Sequence, residues 1–188
     1  MHHDLIETAL AALRQGHTLL YPTDTIWGIG CDATNADAVE RIYAIKQRDH
    51  SKSMLILATE QMLAADIPDE ARHLLLYSTR PTTVILPIEM LAVPIAHNLP
   101  AADNTIGVRI PQFTFCQQLL RKLGSPLVST SANLSGQPSP ADYADIDLEL
   151  MQRIDCCLPN DPSFHHPPTA PSRIVKLQPD GTLTTLRN

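Results

Sequence analysis

The sequence predicts one mixed α/β domain, a sheet with helices packed against it. Short apolar runs of strand length recur along the chain, and segments of helical periodicity fall between them without strict alternation. At 188 residues the chain is long enough to bury a real core in a single compact unit.

The elements follow in order. Residues 4–15 place Leu5, Ile6, Ala9, Leu10 and Leu13 on one helical face. "TLLYP" reads as a strand closed by Pro22, opening into the loop of "YPTDTIWGIG", residues 21–30. "TNADAVERIYAIKQR" is a second helix, with Thr34 as its expected N-cap, Asp37 in its first turn, and Val39, Ile42 and Tyr43 inward. "SMLILAT" is a buried strand, 68–79 a helix and "TTVILPI" a strand. "NTIGVRIP" is a strand ended by proline, and "FTFCQQLLRKLG" a helix whose C-cap is Gly124. "PLVSTSAN" is a strand running into "LSGQPSP", 141–152 a helix, and "DCCLP", "SRIVKLQ" and "GTLTTLR" the late strands. The prolines of 160–172 make that stretch a surface loop, either slack or a flap over a site.

Composition removes several function classes. Hydrophobic residues at 44% with 18% charged exclude disorder and a coiled coil. Aromatics at 4% argue against a stacking platform for single-stranded nucleic acid. A net charge of −6 excludes a generally basic surface, so any grip on phosphate needs a local cationic cluster. No run approaches the about 18 apolar residues of a membrane span, and the amphipathic start has no signal-peptide pattern. Cys31, Cys116, Cys156 and Cys157 have no framework spacing and read as reduced, mostly buried thiols of a cytoplasmic protein. Adjacent Cys156 and Cys157, followed by His165 and His166, lack metal-ligand spacing and read as a strand and a polar loop.

Three stretches carry chemistry. "KQRDHSKS" gathers Lys46, Arg48 and Lys52 with Ser51 and Ser53 where a helix unwinds. Such a set suits a polyanion, and equally makes a solvated charged turn. Helical spacing puts Lys46 near the apolar stripe, as a snorkelling lysine at a helix C-terminus would be. In "PLVSTSANLSGQPSP", Ser129, Thr130, Ser131, Asn133 and Ser135 crowd the end of an apolar strand. Their hydroxyls and amide can meet phosphate or carboxylate, and they also make an ordinary turn. In "TIGVRIP", Arg109 interrupts an apolar strand, so it pairs with a buried carboxylate or faces a cleft. No P-loop, Ser-His-Asp order or dinucleotide fingerprint is present. The residues alone define an anion-binding α/β domain and name no reaction.

Taken together, "YPTDTIWGIGCDA", the Lys-x-Arg of "KQR", "TIGVRIP" and the Ser-x-Asn of "PLVSTSANLSGQP" resemble the YrdC/TsaC family, the L-threonylcarbamoyl-AMP synthases. "PSRIVKL" and "TTLRN" are weaker echoes, and the likeness covers nearly the whole chain, as one YrdC-like domain over 1–188 in the short form. The resemblance implies an open, twisted sheet with a basic concave face. It implies formation of threonylcarbamoyl-adenylate and pyrophosphate from L-threonine, bicarbonate and ATP. A separate transferase complex would use the product on an adenosine beside the tRNA anticodon. By the same resemblance Lys46, Arg48, Ser131 and Asn133 form the catalytic set. Arg48, Lys52, Thr105, Asn133 and Arg187 meet ATP, and Thr25, Arg109, Ser131 and Ser172 meet threonine. Mg²⁺ is expected on the phosphates, held by ligand and water, with no protein metal ligands. The chain departs from the family at Asp49 (usually proline), Leu57 (a histidine in some members), "YSTRPTT" (for Trp-Pro-Gly-Pro) and Lys176 (for an Asp). Competing readings are an RNA-binding or ribosome-maturation factor using the same cations, and a divergent paralogue with different chemistry.

Overall fold

A nine-stranded mixed sheet forms the body of the described residues, with strand order β7-β1-β2-β6-β3-β5-β4-β8-β9. The computed structural model describes residues 2–50, 53–162, 164 and 171–188. Lys52 and most of the Pro-rich stretch 160–172 therefore lie outside the described residues, as do His165 and His166. The strands are β1 (Leu19–Tyr21), β2 (Gly28–Gly30), β3 (Leu55–Leu57), β4 (Thr82–Pro87), β5 (Thr105–Arg109), β6 (Leu127–Ser131), β7 (Cys156–Cys157), β8 (Arg173–Leu177) and β9 (Leu183–Arg187). The helices are α1 (His2–Arg14), α2 (Ala36–Lys46), α3 (Asp69–Tyr77), α4 (Thr114–Leu123) and α5 (Leu148–Met151). Three parallel pairs (β1 with β7, β3 with β5, β4 with β8) are interspersed among five antiparallel ones, so the mixed sheet expected from the irregular element order is present.

The apolar stripes land where periodicity puts them. Ile6, Ala9, Leu10 and Leu13 of α1 are buried, and the helix packs against α4. Val39, Ile42 and Tyr43 of α2 are buried as expected, and Gly124 ends α4 in the left-handed region. Three local expectations are corrected. The N-cap of α2 is Asn35, whose side chain accepts from the Ala38 N–H; Thr34 instead turns its N–H and hydroxyl to Asp32. Residues 141–152 are a 3-10 turn at Tyr143–Asp145 and the short α5, not one helix. Asp142 and Asp147 each cap a new start with their carboxylates, which splits the segment.

The third correction bears on the site. The Gly-spaced tail of the opening loop is strand β2, hydrogen-bonded to β1 and β6. A Cβ at Gly30 would lie 1.9 Å from the Val128 carbonyl oxygen and 3.0 Å from the Tyr21 ring. Glycine is what lets the buried Tyr21 ring lie across β2 while its hydroxyl donates to that same carbonyl at 3.2 Å. Gly30→Ala should therefore destabilise the protein by about 3 kcal/mol, the upper range for an overpacked site. Urea denaturation checks this, and an unchanged midpoint would contradict it.

Candidate active-site cleft

The two-residue alternation of strands builds the site on a face of the sheet, not only at strand ends. Leu55 of β3 is paired with both Gly107 of β5 and Ser129 of β6, and Ile85 of β4 is paired with Gly107. All of these line one cleft of about 250 Å³. Gly107 keeps the floor low: a Cβ there would sit 3.1 Å from the Thr83 methyl and 3.2 Å from the Leu55 Cβ. Two residues along the same face, Arg109 projects from β5, with Thr83 from β4 and Ile174 from β8 beside it.

Arg109 is only 3% exposed, so its charge must be met locally. The loop after β1 does this. Arg109 Nη1 donates to Thr25 Oγ1 at 2.9 Å, and Nη2 stands 3.3 Å from Asp24 Oδ1. That second contact is an ion pair whose alignment falls short of a hydrogen bond, and Arg109 Nε has no hydrogen-bond partner either. The guanidinium thus keeps donor capacity beside the cleft. Gln112 N–H donates to Asp24 Oδ2 at 3.2 Å, which holds the carboxylate in place.

Beside Arg109, Ser172 shares a 2.8 Å hydrogen bond with Thr83, both hydroxyls being buried. Arg187 grips the Ser172 carbonyl twice, from Nε at 3.1 Å and Nη2 at 2.7 Å. Burial pulls the Arg187 guanidinium below its usual range, and the like charge of Arg109 adds to this. Arg48 donates to the Ser53 carbonyl at 2.9 Å, and burial lowers it too. Arg48, Arg109 and Arg187 therefore line one cleft in a chain of net charge −6. Like charges gathered in one cleft favour anionic ligands within it.

Lys46 behaves differently. It is 1% exposed, beyond a snorkelling role, and does not line the cleft. Gln47 takes a left-handed backbone (φ 48°) and ends α2, its N–H and that of Arg48 closing onto Ala44 and Tyr43. Lys46 Nζ meanwhile donates to the Ser131 carbonyl at 2.6 Å, to Asn133 Oδ1 at 3.0 Å and to the Asn133 carbonyl. Burial, with a smaller push from Arg48, lowers its ammonium to about 7. Three acceptors around one nitrogen pull the other way, because each requires a proton. Asn133 is also used up locally, accepting from the Ser131 hydroxyl and donating to the Gln137 carbonyl. Lys46 and Asn133 together fold the loop that presents Ser131.

Of the residues assigned from sequence, Thr25, Arg48, Arg109, Ser131, Ser172 and Arg187 line the cleft. Lys46 and Asn133 stand behind its wall. Thr105 lies on the same strand face as Gly107 but outside the lining, its hydroxyl donating to Asp103 at 2.7 Å. Lys52 lies outside the described residues. Thr23 and Thr83 also line the cleft, and Asp24 backs it through Arg109; the sequence assigns none of the three a role of its own, although Thr23 and Asp24 flank Thr25 in its loop and Thr83 lies on the cleft phase of β4. Leu57 is fully buried on the strand beside Arg109. Lys176 pairs with Asp103 at 2.6 Å, and this hydrogen bond holds the Asp103 carboxyl below its usual range. Among the described residues no group of His, Cys, Asp or Glu is placed to hold a metal.

An open α/β sheet with a cleft of hydroxyls and guanidiniums defines a binder of small anionic ligands. The Sua5/YciO/YrdC family model, described as telomere recombination, matches residues 11–188, and the chain belongs to that family. A threonylcarbamoyl-AMP synthase of Pseudoalteromonas translucida is 36% identical over 159 residues, covering 79% of this chain and 82% of that protein. One from Photobacterium profundum is 30% identical over 173 residues, covering 88% and 92%. P. abyssi Sua5 complexed with L-threonine is 25% identical with a TM-score of 0.77, covering 94% of this chain and 52% of the other. The chain thus spans about half the length of that Sua5.

Lys46→Met should bare three acceptors and cost about 1–3 kcal/mol. It should also speed amide exchange across Ser131–Gln137. Exchange there unchanged from wild type would show that the lysine does not hold the loop.

Proposed function

We propose that this protein is an L-threonylcarbamoyladenylate synthase, a nucleotidyltransferase that joins L-threonine, bicarbonate and ATP. The observation that carries the reading is the two-ended cleft. Arg109, Thr25 and Ser172 offer a buried guanidinium among hydroxyls, suited to an α-amino acid. Along β3, Leu57 pairs with Arg109, whereas β6 runs antiparallel past the Leu55–Ser129 pair to Ser131, and Arg48 on the Ser53 carbonyl stands at that other end, suited to phosphates. The names of the relatives support the same reading.

The chemistry needs no protein nucleophile. The threonine amine forms a C–N bond to the bicarbonate carbon, with loss of water, giving a carbamate. A carbamate oxygen then attacks the α-phosphorus of ATP, and the α–β P–O bond breaks as pyrophosphate leaves. The residues supply positioning and charge: Arg109 orients the carboxylate, Arg48 the phosphates, and Ser131 the join between them. Asp24, behind the cleft, is engaged with Arg109. Magnesium bound with ATP would be held mostly by the phosphates and water and would neutralise phosphate charge.

We further place the protein in the cytoplasm, handing its product to a tRNA-modifying transferase complex. No described helix is long and apolar enough to cross a membrane, and the four cysteines are free. The inward-turned arginines favour a small-molecule site over an RNA groove, so tRNA binding itself is weak.

Mass spectrometry of the protein with threonine, bicarbonate and Mg-ATP should detect threonylcarbamoyl-adenylate; its absence overturns the assignment. Arg48→Ala should weaken ATP binding by roughly ten- to a hundredfold and spare threonine, the loss of a charge-assisted contact. Unchanged ATP affinity in calorimetry would remove Arg48 from the nucleotide end.

A further inference from the structure

The hydroxyls of the loop after β1 have a fixed direction. Thr23 Oγ1 donates its single proton to the Ile26 carbonyl at 2.7 Å. It accepts the Thr25 N–H at 3.0 Å, and it lies 2.9 Å from Thr25 Oγ1. A hydroxyl has one proton and two lone pairs. With the proton spent on Ile26, Thr23 can only accept from the Thr25 hydroxyl. Reversing that bond would strip the Ile26 carbonyl of its donor. Thr25 therefore gives its proton to Thr23 and takes one from Arg109 Nη1 at 2.9 Å. One lone pair of Thr25 Oγ1 is left, and no proton. Both threonines are buried, at 2% and 4% exposure, so water does not readily reset the arrangement.

We infer that Thr23 is a positioning residue that makes Thr25 a one-way acceptor, selecting the amine of the amino-acid substrate. The inference rests on the proposed function and adds a determinant to its threonine end. The carboxylate goes to Arg109, and on an α-amino acid the amine shares a carbon with the carboxylate. Of the two groups paired with Arg109, Thr25 lines the cleft and Asp24 does not, so the amine meets Thr25. An acceptor there holds the amine through an N–H and leaves the nitrogen lone pair free for attack on carbon. A carboxylate or ether oxygen at the same place would face a lone pair with no proton between them.

The test compares Thr23→Val, which keeps the shape of the side chain, with Thr23→Ser, which keeps the hydroxyl. Calorimetry on the full chain uses L-threonine and 3-hydroxybutyrate, which has the carboxylate and hydroxyl but no amine. Thr23→Val should weaken threonine binding by about tenfold and leave 3-hydroxybutyrate and Mg-ATP unchanged. Thr23→Ser should stay within about twofold of wild type. In turnover, Thr23→Val should raise KM for threonine with kcat and KM for ATP held. Unchanged threonine affinity in Thr23→Val, or equal losses in both variants, would overturn the inference. Should Thr23→Val not fold, the wild type still decides: 3-hydroxybutyrate bound as tightly as threonine refutes the amine contact. A wild type that captures no threonine overturns instead the proposed function beneath it.

Discussion

A guanidinium buried in the middle of a sheet cannot stand alone, and Arg109 dictates much of what surrounds it. An unpaired charge at 3% exposure would cost several kcal/mol. The loop after β1 supplies Asp24 and Thr25, and is thereby folded over the cleft. Thr23 braces Thr25, the Gln112 N–H braces Asp24, and β2 then re-enters the sheet through two glycines. The neutralisation is incomplete, since Nε and one carboxylate oxygen lack hydrogen bonds. The unused guanidinium donor is what a carboxylate ligand can meet, since an ionised carboxylate only accepts.

The other end of the cleft is organised by a second buried cation used in the opposite way. Lys46 spends all its donors on the Ser131–Asn133 loop and so acts as a tether between α2 and β6. Arg48, two residues later, is turned into the cleft by the left-handed Gln47. One helix terminus therefore places a structural cation and a cleft-lining one side by side. The Lys-x-Arg spacing has a mechanical meaning: one residue holds the wall and the other works on it.

Much of this was legible in the chain. Apolar periodicity located α1 and α2, and the interruption of "TIGVRIP" by Arg109 marked a buried cation needing partners. The identity of its partners was not legible, because Asp24 and Thr25 reach it across 85 and 84 positions of sequence. The snorkelling alternative for Lys46 fails because helical spacing gives its face but not the three acceptors that justify full burial. Gly28–Gly30 was not seen as a strand because its evidence lies in Tyr21 and Val128, which close on it only in the fold. The split of 141–152 by Asp142 and Asp147 turned on side-chain capping that outweighed a weak helical pattern.

The account's central claim is that the cleft has a carboxylate end and a phosphate end, set by Arg109 and Arg48. A crystal structure of the protein with L-threonine and a non-hydrolysable Mg-ATP analogue tests it most directly. The account predicts the threonine carboxylate on Arg109, its amine on Thr25, and the phosphates between Arg48 and the Ser129–Ser131 wall. Phosphates seated on Arg109, or threonine bound away from this cleft, would contradict it.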